Sequence, residues 1–176
     1  AIALALAADG WDIGVHYRES ADGAAQTVAD ITALGRRAVA LQAGLDDASQ
    51  CRQLVKRLAD ALGPVTGLVN SASRFDFDSI HSLTPQSFAA HLGPNLLAPL
   101  LLSQALLAQL PGQADVSSTA TSTAPASTPA VIVNLLDQKL FNLNPDFLSY
   151  TLSKAALQAA TTMLAQAMAP HVRVVG

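Results

Sequence analysis

Five short apolar runs, at 11–17, 38–42, 65–70, 130–136 and 171–175, are separated by stretches of helical pattern. A strand with one solvated face alternates polar and apolar residues. These runs are nearly continuous in apolar residues, which suits strands buried on both faces. Parallel strands need a crossover of a dozen or more residues, and a helix supplies it. The segments at 21–34, 48–62, 84–110 and 146–169 read as such helices, preceded by another at 1–8. Gly10, Gly35 and Gly63-Pro64 stand where helices should stop. On the helix at 48–62, Leu54, Val55, Leu58 and Leu62 share a face. The expected fold is α/β, a Rossmann-type doubly wound parallel sheet in a single domain over 1–176. One stretch breaks the pattern: 112–129 is rich in Ser, Thr, Ala and Pro and reads as a flexible surface loop without a catalytic role.

Composition narrows the partners. With 51% hydrophobic residues in 176, the chain can bury a real core. A net charge of −3 gives no electrostatic reason to bind nucleic acid or a membrane surface. The longest apolar helical run, 96–107, is interrupted by Pro99, Ser103 and Gln104 and falls short of bilayer length. Cys51 is the single cysteine, so no internal disulfide can form, which suits a reducing cytoplasm.

In open parallel sheets, ligands bind beyond the carboxyl ends of the strands. That rule selects His16, Tyr17, Arg18 and Ser20 after the first run. It selects Asn70, Ser71, Ala72 and Ser73 after the third, and Asp137 after the fourth. Tyr150 and Lys154, four apart, share a helix face. An ammonium near a phenol is expected to lower the tyrosine pKa towards the range of a working general acid. Pro94 and Pro99 lie inside the expected helix 84–110, and Pro99 leaves the carbonyl of Asn95 without its helical partner. A kink there, with a free carbonyl able to hold water, is expected.

Taken together, these residues resemble the short-chain dehydrogenase/reductase family over essentially the whole chain. Asn70-Ser71-Ala72-Ser73 stands where that family has an Asn-Asn-Ala-Gly turn, and Asn95, Tyr150 and Lys154 match its active-site asparagine, proton-donating tyrosine and ribose-binding lysine. Where most members carry a serine, Asp137 stands thirteen residues before Tyr150. That is similar to pteridine reductases and dihydromonapterin reductases. In these a Phe like Phe75 stacks on the pterin. The resemblance implies a site in which Asp137, Tyr150, Ser73 and Phe75 meet the substrate. The run from His16 to Ser20 resembles NADPH-selective members, with Arg18 and Ser20 suited to a 2′-phosphate. At Leu45 a backbone contact to the cofactor is implied. Gly44 replaces an adenine-contacting aspartate, and Ser71 the second asparagine of the turn.

The implied activity is NADPH-dependent reduction of a pterin or dihydrofolate-like ring. The alternatives are a short-chain reductase of a ketone or other carbonyl, and a non-catalytic Rossmann-type binding protein or inactive fragment. A homotetramer is implied, with the helices at 84–110 and 146–169 at its interfaces. The chain lacks a starting Met and the family's Gly-rich phosphate loop, and so reads as a piece missing the first and last strands. Without the first, the strands at 11–17 and 65–70 lose a shared neighbour, and the isolated chain is expected to be unstable or nearly inactive.

Overall fold

The computed structural model describes residues 1–110 and 129–176. The loop expected at 112–129 falls, apart from Pro129, outside the described residues. The chain folds as two compact units, 1–65 and 66–176.

The first unit runs α1 (Ile2–Ala8), β1 (Ile13–Tyr17), α2 (Ala21–Ala33), β2 (Ala38–Gln42), α3 (Ala48–Leu62). β1 and β2 pair in parallel, Ile13 opposite Ala38 through Tyr17 opposite Gln42, with α2 as the crossover. Ala7, Ile13 and Ile31 form a core, with Leu4, Leu6 and Val15 packed on it. Gly14 points to the other face, where a Cβ would come within 2.7 Å of the Leu58 side chain on α3. Helices therefore cover both faces of β1. Asp47 caps α3 by accepting from the Ser49 and Gln50 amides. Gly63, at φ 102, closes it in a conformation other residues rarely adopt.

The second unit runs β3 (Gly67–Asn70), α4 (Pro85–Leu92), a π-helical turn (Gly93–Leu97), α5 (Ala98–Ala108), β4 (Ala130–Asn134), a 3₁₀ turn (Gln138–Phe141), α6 (Leu148–Met168) and β5 (Val172–Val175). Its three strands pair in parallel in the order β3-β4-β5. Leu106, Ile132, Leu157 and Val172 are fully buried in its core. The β4 run is not apolar throughout: buried Asn134 accepts from the Asn70 amide at 2.7 Å and donates to Thr161 of α6 at 2.9 Å. That chain of amides ties the end of β3 to β4 and α6.

The helix expected over 84–110 is three pieces. Thr84 and Ser87 form a capping box, with Pro85 in the first turn. Pro94 and Pro99 withhold two N–H groups, and the helix widens by one residue between them. There the Ala98 N–H donates to the Gly93 carbonyl, five residues back. The expected kink thus takes the form of a π-turn, and Asn95 sits inside it.

Candidate active site

Four segments of the second unit converge: the loop after β3, the π-turn, the turn after β4 and the first turns of α6. Asp137 is half-buried and both its oxygens are engaged. One accepts from the Lys139 amide at 2.8 Å, capping the 3₁₀ turn; the other accepts from the Tyr150 hydroxyl at 2.5 Å. Lys154 is 3% exposed; its ammonium donates to the Leu135 carbonyl at 2.8 Å and lies 5.9 Å from the Tyr150 ring centroid.

The electrostatics correct one expectation. The Tyr150 hydroxyl is pushed up, not down: first by burial, then by the hydrogen bond to Asp137 and that carboxylate's charge, with a bond from Ser73 opposing. Burial leads, and the carboxylate in contact adds to it while the ammonium is turned to a carbonyl. Asp137 is correspondingly held below the usual carboxylate range, first by the Tyr150 hydroxyl and then by the Lys139 amide. Burial lowers Lys154, with Asp137 opposing. At neutral pH the pair is a phenol donating to a carboxylate.

Asn95 is buried, and its side chain is bonded through both its oxygen and its amide. Its oxygen accepts from the Arg74 amide at 2.7 Å and the Ser73 hydroxyl at 3.3 Å. Its amide donates to the Arg74 carbonyl and to Ser153, both at 2.9 Å. The π-turn thereby locks the loop carrying Ser73 and Phe75 onto α6. His91 adds a second lock. Its Nδ1 faces the Ser87 carbonyl at 2.8 Å and must donate, which leaves Nε2 to accept from the Asp76 amide at 3.1 Å.

Phe75 is 56% exposed, yet its ring is fixed. It stacks on Phe147 at 4.3 Å between centroids and meets Tyr150 edge-on at 4.6 Å. Phe77 meets the other side of the cluster, edge-on to Phe147 at 5.3 Å. Phe147 has a left-handed backbone, φ 56 and ψ 49, unusual for a bulky residue. Sequence reasoning missed Phe77, Phe147, Ser153, Asn134 and Asp78. The alternation Phe75-Asp76-Phe77-Asp78 was the available signal for two of them.

Of the other expected residues, Asn70 is buried, while Ser71, Ala72 and Ser73 lie exposed in the loop beyond it. In the first unit, the His16 ring contacts the Ala43 carbonyl at 2.9 Å, and the Ala43 amide donates to the Tyr17 carbonyl. Arg18 is exposed, its Nε 3.2 Å from Glu19. Ser20 is the N-cap of α2 without a side-chain capping bond. The Leu45 carbonyl lies 3.6 Å from the Cys51 sulfur. Among the described residues, no group of His, Cys, Asp and Glu could hold a metal, and no helix is long and apolar enough to cross a membrane.

A family model described as short chain dehydrogenase matches residues 1–176. The chain belongs to that family. An uncharacterized oxidoreductase of Methylorubrum extorquens is 32% identical over 171 residues, covering 97% of this chain and 62% of that protein. The crystal structure of FolM alternative dihydrofolate reductase 1 from Brucella suis, in complex with NADP, superposes with a TM-score of 0.85 at 34% identity. The match covers 98% of this chain and 67% of that one. A 3-oxoacyl-[acyl-carrier-protein] reductase of Synechocystis is 42% identical over 72 residues, 41% of this chain and 29% of that protein. The chain thus spans less than two thirds of the Methylorubrum relative. These likenesses and the parallel sheets establish the α/β Rossmann-like fold.

Proposed function

We propose that the protein to which this chain belongs is an NADPH-dependent reductase of a pterin or dihydrofolate-like ring. The single observation that carries the reading is the 2.5 Å bond from the Tyr150 phenol to the Asp137 carboxylate, with the Phe75 ring in T-shaped contact with the same phenol. Reducing a C=N bond takes a hydride at carbon and a proton at nitrogen. When bound, NADPH would supply the hydride. The chain's own residues supply and place the proton.

A ring nitrogen that gains electron density as carbon is reduced becomes strongly basic, so a phenol of raised pKa still serves as its acid. Asp137 holds that phenol oriented, and its carboxylate can accept ring N–H donors that a serine could not hold as strongly. Phe147 covers one face of the Phe75 ring, and the opposite face would meet a heterocycle. In each unit taken by itself, donors suit part of a dinucleotide. The Lys154 ammonium has three N–H groups, and its hydrogen bond among the described residues uses one, on Leu135. Two are left for a vicinal diol. Arg18 keeps its terminal nitrogens beyond the Glu19 contact, suited to a phosphate. The FolM likeness, with NADP in that structure, agrees.

A second reading, reduction of a 3-oxoacyl or other ketone, draws on the Synechocystis likeness. Asp137→Ser in the full-length protein tests the choice. The expected result is a loss of about 10²-fold in dihydropterin or dihydrofolate reduction, with NADPH affinity held within about twofold. Unchanged pterin reduction would remove the reading's support.

A further inference from the structure

Asp78 has no part in the chemistry above, yet it is one of the most buried carboxylates of the described chain, at 2% exposure. Its hydrogen-bond partners are on α6, some seventy positions later, and the His91 ring of α4 is its nearby electrostatic partner. The Ser149 amide donates to one carboxylate oxygen at 3.0 Å, and the Ser149 hydroxyl to the other. The Asp78 main-chain carbonyl accepts from the Leu148 amide at 3.2 Å.

These bonds answer a need of α6. The first N–H groups of a helix lack partners within it. A side chain at the N-cap ordinarily serves one of them, but here the N-cap is Phe147, which has no acceptor. Asp78 serves two from outside the helix, and its negative charge lies at the positive end of the helix dipole. The residue after Ser149 is Tyr150. The loop that holds Asp78 also carries Phe75, whose ring meets Tyr150 in a T-shaped contact.

We propose that Asp78 is a positioning residue for Tyr150. By capping α6 from the loop after β3, it fixes the phenol's height against Asp137 and registers the Phe75 ring to the same helix turn. The kinetic consequence rests on the reductase reading; the geometric one does not. A cap that served stability alone would leave the phenol on Asp137 in any variant that folds. A positioning cap would not, and a displacement of about 1 Å at a reacting group can cost roughly 10²-fold in rate.

The test uses the full-length protein labelled with [ζ-¹³C]tyrosine. The Tyr150 resonance is identified by its loss in Tyr150→Phe. In Asp78→Ala, the Tyr150 resonance should move towards that of a water-bonded phenol while the Tyr17 resonance stays. The kcat for a dihydropterin should fall at least about tenfold, with KM and NADPH affinity within about twofold. Asp78→Asn, which keeps an acceptor for the Ser149 amide, should restore the resonance and most of kcat. An unmoved Tyr150 resonance in folded Asp78→Ala overturns the proposal, as does a loss confined to KM. Should Asp78→Ala not fold, Asp78→Glu decides: it keeps the charge but moves the carboxylate by one methylene away from its place on the Ser149 amide, and a resonance identical to wild type overturns the proposal. If no pterin is turned over, the reductase reading fails, while the resonance comparison still judges Asp78.

Discussion

Replacing Asp137 by asparagine should lower the pH at which Tyr150 ionises by about one unit. The phenol donates to the carboxylate at 2.5 Å, and a hydrogen bond to a charged group is worth about 1.5–3 kcal/mol against about 1 for a neutral one. Asparagine presents a neutral carbonyl, so about 0.5–2 kcal/mol favouring the phenol over the phenolate is lost. At 1.36 kcal/mol per pH unit this is about one unit, towards the lower end because Asp137 is half-buried and partly screened. Burial, the leading cause of the raised value, remains, so the midpoint should stay above that of an ordinary tyrosine. The assay is an ultraviolet titration of phenolate in the full-length protein, with the matching Tyr150→Phe variant subtracted in each background. A midpoint that stays put, or rises, would refute the idea that the carboxylate holds the proton.

Other outcomes follow from the same geometry. Because Asp137 is depressed by the Tyr150 hydroxyl and the Lys139 amide, its stabilising contribution is complete above the ordinary aspartate pKa of about 3.9 and lost as pH falls through the folded value. Acid melting curves of Asp137→Asn should therefore be flatter than wild type below about pH 4. Asn134→Leu strips the Asn70 amide of its buried acceptor and should cost about 1–3 kcal/mol in urea unfolding; a change under about 0.5 would contradict a buried bond there. Leu157→Ala removes a side chain 1% exposed and should cost about 2–5 kcal/mol by the same measurement. Arg18→Ala should raise the KM for NADPH about tenfold and leave that for NADH nearly unchanged; equal effects on both would place the 2′-phosphate elsewhere.

Much of the fold was legible because its signals are local. Continuous apolar runs, helical periods and the glycines after α2 and α3 each report on a few neighbouring residues, and β2 and α3 match their expected bounds. Tyr150 and Lys154 were legible for the same reason, since four-residue spacing on a helix sets a shared face. What escaped was non-local. No window of sequence links Asp78 to Ser149 or Asn95 to Arg74, so the caps and clamps of the loop after β3 were invisible. The prolines announced a break near Asn95, but whether a helix kinks or widens depends on what packs against it. The direction of the Tyr150 shift was misjudged because spacing showed the ammonium and could not show that the hydroxyl is buried and bonded to a carboxylate. Burial of Asn134 within an apolar run likewise depends on Asn70 and Thr161, which lie far off in the chain.

The most direct test is a kcat/KM panel on the full-length protein with NADPH, comparing a dihydropterin and dihydrofolate with a 3-oxoacyl thioester and simple ketones. If the phenol–carboxylate pair protonates a ring nitrogen, as proposed, the bicyclic substrates should be favoured by at least about 10²-fold. Faster reduction of the thioester or a ketone, or no turnover of any of them, would contradict it.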